Sequence, residues 1–235
     1  MAERSTYHHG NLRETLISCG KQLLLEQGPL NVSLRSVTRA AGVSPGAPRH
    51  EFGDLNGLLA AIAVDGFDEL IALREQAVNK AKDAAGRLRA VMTVYADFAI
   101  EKPGLFWVMI GPQISDRHER EEINKATERS YAMLERYVFE YLRSLELQGA
   151  CTDELVQCAW SAVHGVSMLF CGRPHGPNPA ASLPFNQWRD SVIDFALAGL
   201  TARGREIMAS GSNGLAHKPA GAPRSGGPSK GLVLP

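Results

Sequence analysis

The 235-residue chain carries 25 basic and 25 acidic side chains, and its 44% apolar and 21% charged content is that of a globular protein with one or two domains. Zero net charge excludes a uniformly basic coat, so any nucleic-acid binding must come from a local patch. No apolar run approaches the roughly 18 residues that span a bilayer, and MAERSTYHHG at the N-terminus lacks the apolar core of a secretory signal, so a cytoplasmic location is expected.

The first helix is predicted from Asn11, whose side chain can cap while Glu14 completes a capping box; Leu12, Leu16, Cys19 and Leu23 form its apolar stripe and Gly28-Pro29 ends it. In the next helix Ser33 can cap, with Leu34, Val37 and Ala41 on one face and Gly42 accepting the left-handed backbone that stops it. Val43 is an apolar plug, and Ser44-Pro45 supplies a cap followed by a first-turn proline, so a short helix is predicted from Pro45 to Phe52. Pro48 then falls in its fourth position, where the missing N–H removes the first internal hydrogen bond. Two short helices around a glycine turn, with small Ala40-Ala41 where they approach, fit a helix-turn-helix, whose second helix enters the major groove. The same pattern also occurs in ordinary helical bundles. Up to Phe52 the basic Arg4, Arg13, Lys21, Arg35, Arg39 and Arg49 outnumber the acidic Glu3, Glu14, Glu26 and Glu51.

Asp54 can cap a longer helix running toward Lys82, with Leu55, Leu58 or Leu59, Ile62, Gly66 and Leu70 on one face. From Ala84 to Ile100, Leu88, Val91, Met92, Tyr95 and Phe98 form another apolar face, stopped at Lys102-Pro103-Gly104. The very apolar Leu105 to Ile110 should line a bundle interior. A long helix from about His118 to Leu147 turns Ile123, Tyr131, Leu134, Val138, Tyr141 and Leu145 inward, with Glu121/Lys125 as an exposed pair. Asp153 can cap a helix to Phe170, with Leu155, Ala159, Ala162, Val166 and Leu169 on one face, before Gly172-Arg173-Pro174. After a Pro- and Gly-rich loop, a last helix near Phe185 to Ala202 places Trp188, Val192, Phe195, Ala196 and Gly199 on a face where another helix can come close. The end of the chain has too few apolar residues to fold and reads as a disordered tail.

The segment from Tyr7 to Leu70, with YHHGNLR at its start, VSLRSVTRAAGVSPGAP in the middle and FGDLNGLLAAI at its end, resembles the DNA-binding domain of the tetracycline-repressor (TetR) family of transcriptional regulators. The resemblance implies an all-α protein: a three-helix helix-turn-helix domain at 9–70, a helical ligand-binding and dimerisation domain at 71–208, and the tail at 209–235. It further implies a homodimer on double-stranded operator DNA, a repressor released by a small apolar ligand, and a four-helix interface built from two C-terminal helices of each protomer. Arg35, Ser44 and His50 are the candidates for phosphate or base contacts and Arg49 for a specific one, with Ser33, Pro45 and Ala47 completing the set. The match departs at Glu51, which puts a negative charge near the duplex, and at Leu55, which stands with Asn56 after it where the family usually has a phosphate-binding lysine. A member that has lost specific DNA binding and serves as a ligand or protein-interaction module is the alternative.

Ala159-Trp160-Ser161-Ala162-Val163-His164-Gly165 resembles the Trp-His-Gly signature of one ligand-binding subfamily of these regulators. Trp160 and His164, four apart, share a helical face; with Trp107, Met109 and Met168 they make the candidate wall of an apolar pocket, the alternative being a packed core pair. Cys19, Cys151, Cys158 and Cys171 have no C-x-x-C pairing and read as small buried apolar residues; His8-His9 and Cys171/His175 offer too few ligands for structural zinc. No nucleophile elbow, Walker loop or dinucleotide fingerprint is present, and the Ser161/His164 pair lacks oxyanion donors, so neither an enzyme nor a cofactor is expected.

Overall fold

The structure, a computed structural model, describes residues 9–172 and 183–211. Its regular elements are all helical: α1 (His9–Gln27), α2 (Leu34–Ala41), α3 (Ala47–Phe52), α4 (Leu55–Val78), α5 (Ala84–Glu101), α6 (Pro103–Ile110), α7 (Glu121–Ser144), α8 (Asp153–Phe170) and α9 (Phe185–Gly211). The chain divides into two compact units, one made of the residues up to Glu69 with Glu101–Thr127, the other of Leu70–Ile100 with the residues from Glu128 onward. This grouping differs from the division expected at residue 70, because the apolar α6 and the turn after it join the N-terminal helices.

In the first unit, α1 starts at His9, so Asn11 lies inside the helix and is not its cap. Leu16, Leu23 and Leu24 are buried, and Gly28, with φ 74°, releases the chain. The cap of α2 is as read, and reciprocal: Ser33 Oγ accepts from Ser36 N (3.1 Å) while Ser33 N donates to Ser36 Oγ (2.9 Å). Gly42 ends the helix in the left-handed conformation, φ 66°. Asp54 caps α4, accepting from Gly57 N at 2.8 Å. The apolar α6 begins at Pro103, and a Cβ on Gly104 would collide with the Leu24 carbonyl, so this glycine is what lets α6 lie against α1.

An ion-pair cluster also ties this unit. Lys21 on α1 meets Asp65 (2.5 Å) and Glu69 (2.7 Å) of α4, and Lys102 pairs with Glu69. Burial disfavours the Lys21 charge, but hydrogen bonds to the two carboxylates hold its pKa above the ordinary lysine value.

In the second unit α4 ends at Val78, four residues short of Lys82, in a turn where Ala81 N donates to Val78 O (3.0 Å). Helix α7, whose first residues up to Thr127 belong to the first unit, starts at Glu121 rather than His118, since Arg117–Glu119 form a 3-10 turn, and Leu145 lies beyond its end and is exposed. The Glu121/Lys125 pair forms at 2.6 Å. Thr152, not Asp153, occupies the cap position of α8, and Leu169, expected inside, is 45% exposed. Helix α9 continues through Gly211, so the first residues assigned to the tail are helical; the remainder lies outside the described residues. Its buried stripe is Ile193, Ala196, Leu197 and Leu200, while Phe195 is 78% exposed: the expected face mixed two sides of the helix.

Candidate functional site

The helix-turn-helix is built from local chemistry. Val37 and Thr38 bury one side of α2, leaving Arg35 and Arg39 exposed on the other. After Gly42 the half-buried Val43 plugs the turn, and Ala47 N donates to Ser44 O at 3.0 Å. The turn therefore consumes Ser44-Pro45-Gly46, and α3 opens at Ala47, two residues later than predicted from Pro45. Pro48 accordingly sits in the first turn, where its missing N–H would have had no helical partner; the first internal bond, His50 N to Gly46 O at 3.0 Å, is intact. Pro48 is buried and anchors the helix.

Six of the seven residues named for DNA are exposed, Ser33, Arg35, Ser44, Pro45, Arg49 and His50, and Ala47 is half-buried. Ser33 spends its hydroxyl on the α2 cap. Glu51 is less available than its sequence position suggests: its side chain is 18% exposed, with the carboxylate 3.6 Å from His50 Nδ1. Arg13 of α1 braces the far end, its guanidinium 4.7 Å over the Phe52 ring and Nη1 3.4 Å from the Glu51 carbonyl. At the start of α4, Leu55 is half-buried and Asn56 Nδ2 donates to Ser115 Oγ at 2.8 Å, so neither supplies a free cation.

The five residues named for a ligand fall in different units. Trp107 and Met109 belong to the first, where Met109 is fully buried and packs on Gly66; a Cβ there would sit 2.7 Å from the Met109 sulfur. Trp160, His164 and Met168 belong to the second and are half-buried. The Trp160 and His164 rings stack at 4.6 Å and 15°, and His164 Nδ1 lies 2.8 Å from the Tyr95 hydroxyl. Which of the two donates is set by the imidazole tautomer, since the Tyr95 hydroxyl can either donate to Nδ1 or accept from it. Burial pulls the His164 pKa down and pushes the Tyr95 pKa up, keeping both neutral near pH 7.

Behind Tyr95 stands a residue that sequence reasoning missed. Arg74 continues the inner stripe of α4 one turn after Leu70 and is 2% exposed. Its Nε donates to the Val91 carbonyl of α5 (3.2 Å), and Nη1 donates to the carbonyl (3.1 Å) and hydroxyl (3.0 Å) of Ser130 on α7. The guanidinium lies 5.1 Å over the Tyr95 ring, and burial pulls its pKa down to about 10. The signal was an arginine at an apolar position of the helical repeat. Among the described residues there is no cluster of potential metal ligands, and no helix is long and apolar enough to cross a membrane. Cys158 is exposed, against the expectation of burial, whereas Cys171 is buried, with a thiol pKa raised by burial to about 11.

No curated protein matches the chain in sequence. Residues 88–184 match the family model described as "Tetracyclin repressor-like, C-terminal domain", which does not distinguish the Trp-His-Gly subfamily. Among solved structures, a protein of unknown function from Rhodococcus sp. RHA1 is 27% identical, with a TM-score of 0.70 over 84% of this chain and 100% of its own. The transcriptional regulator FadR from Bacillus subtilis, in complex with stearoyl-CoA, is 16% identical, with a TM-score of 0.60 over 79% of this chain and 98% of its own. RolR in complex with resorcinol is 18% identical, with a TM-score of 0.54 over 84% of this chain and 93% of its own. Residues 88–184 are thus similar to the C-terminal domain of tetracycline-repressor (TetR) regulators, and the fold is the one these solved structures share.

Proposed function

We propose that this chain is a cytoplasmic, homodimeric transcriptional repressor that binds a roughly palindromic operator through α2, the turn and α3, and leaves it when a small, largely apolar ligand occupies the C-terminal unit. The observation that carries the reading is the presentation of α3: Pro48 anchors it from beneath while Ser44, Pro45, Arg49 and His50 stand exposed along the turn and the helix. The two recognition helices of the dimer would reach half-sites roughly 34 to 36 Å apart. FadR, solved with stearoyl-CoA, and RolR, solved with resorcinol, share this fold and support a ligand-responsive reading. Release of the operator by a factor of about one hundred needs affinities for the two states that differ by about 2.7 kcal/mol.

Footprinting of the protein on its own upstream intergenic DNA over a salt series tests the reading. A saturable, protected site is expected, and Arg49→Ala should weaken it by about 1 to 3 kcal/mol. Binding that never saturates and protects nothing favours the second reading, a family member without specific DNA binding, to which half-buried Leu55 and the engaged Asn56 point.

A further inference from the structure

We propose that Arg74 anchors an anionic group of the ligand, and that the ligand is a small organic carboxylate. The inference rests on the reading of this chain as a ligand-responsive regulator and names the chemistry of what it senses. In the second unit Arg87 meets Glu140 and Arg189 meets Asp97 and Asp190, whereas Arg74, more deeply buried than either, meets no carboxylate among the described residues. Its partners are two main-chain carbonyls and a hydroxyl, which satisfy donors without neutralising charge, and Nη2 has no acceptor among the described residues. A buried cation without a counter-ion is an unfavourable arrangement that an incoming anion relieves.

The surroundings select the kind of anion. The ring under the guanidinium is Tyr95, whose hydroxyl leads to His164 and, stacked on it, Trp160. The latter two are half-buried, so a line of contacting groups runs from accessible aromatic surface to the buried charge. Those groups are uncharged, leaving one positive charge to be matched. A carboxylate matches it with one negative charge and two oxygens suited to a guanidinium fork, and a phosphate dianion would bring a second charge with no partner. The aromatic stretch suits an apolar body behind that headgroup.

The test uses the full-length protein without DNA, in thermal melts and calorimetric titrations against octanoate and benzoate, the neutral octanamide and benzamide, and inorganic phosphate. At least one carboxylate should raise Tm, with its amide binding roughly ten- to hundredfold more weakly. Arg74→Lys should keep the preference for acid over amide, and Arg74→Met should lose it. Equal binding of acid and amide, no shift with either carboxylate at millimolar concentration, tighter binding of phosphate, or an unchanged preference in Arg74→Met overturns the proposal. Should circular dichroism show that Arg74→Met does not fold, the acid-to-amide ratio in the natural protein and in Arg74→Lys decides. The assay contains no operator, so a failed footprint and a failed acid preference are separately visible.

Discussion

His164 is the side chain through which pH should reach the stability of this protein. Its pKa is lowered by burial, so between that value and the unfolded-state value near 6.5 the folded protein holds fewer protons than the unfolded chain. The contribution to stability is therefore complete above the unfolded value and is lost as pH falls through the folded one. Thermal melts should show Tm falling as the pH drops below about 6.5, the unfolded-state value, and falling less in His164→Gln, where the imidazole is gone; parallel profiles would contradict the assignment. A second single-residue prediction concerns Leu55, half-buried at the start of α4. Leu55→Lys should restore a phosphate contact and steepen the dependence of log affinity on log salt by about one unit, measured by operator titration.

At the scale of elements, the placement of α3 depends on how closely α4 can approach it. A Cβ on Gly57 would overlap the carbonyl oxygen of Phe52, the last residue of α3, so backbone must move to accept any larger residue. Gly57→Ala should therefore lower stability by about 1 to 3 kcal/mol despite the better helix propensity of alanine, measured by urea denaturation. It should also weaken the operator complex, because the recognition helix is re-aimed. The turn before α3 shows the same economy of local rules: Ser44, Pro45 and Gly46 make a turn that delays the helix, and this delay makes Pro48 harmless.

For the whole molecule, the outer side of α8 and α9 is the feature one protomer leaves unexplained. Leu169 is 45% and Phe195 78% exposed, beside exposed Gly199, where a Cβ would meet nothing within 4 Å. Such a face suits the helix pair of a partner protomer, as the proposed dimer requires. Phe195→Glu should produce monomers at micromolar concentration in sedimentation velocity and weaken operator binding, since each half-site would be bound alone. A variant that stays dimeric would place the interface elsewhere.

What the amino-acid order determined by itself is chemistry that acts within about four residues of chain: the cap at Ser33, the left-handed stop at Gly42, the cap at Asp54 and the break at Pro103 all stand where they were read. So did the helical character of the described residues and the stripes of α4 and α5, because apolar periodicity is a property of one helix. Only tertiary structure decided which of two apolar sides α9 turns inward, since Ile193 and Phe195 are equally apolar and their fates depend on where α8 lies. Only tertiary structure, too, buried the Arg74 charge and gave it partners. Its acceptors at Val91 and Ser130 lie 17 and 56 residues away, and packing alone brings them around it.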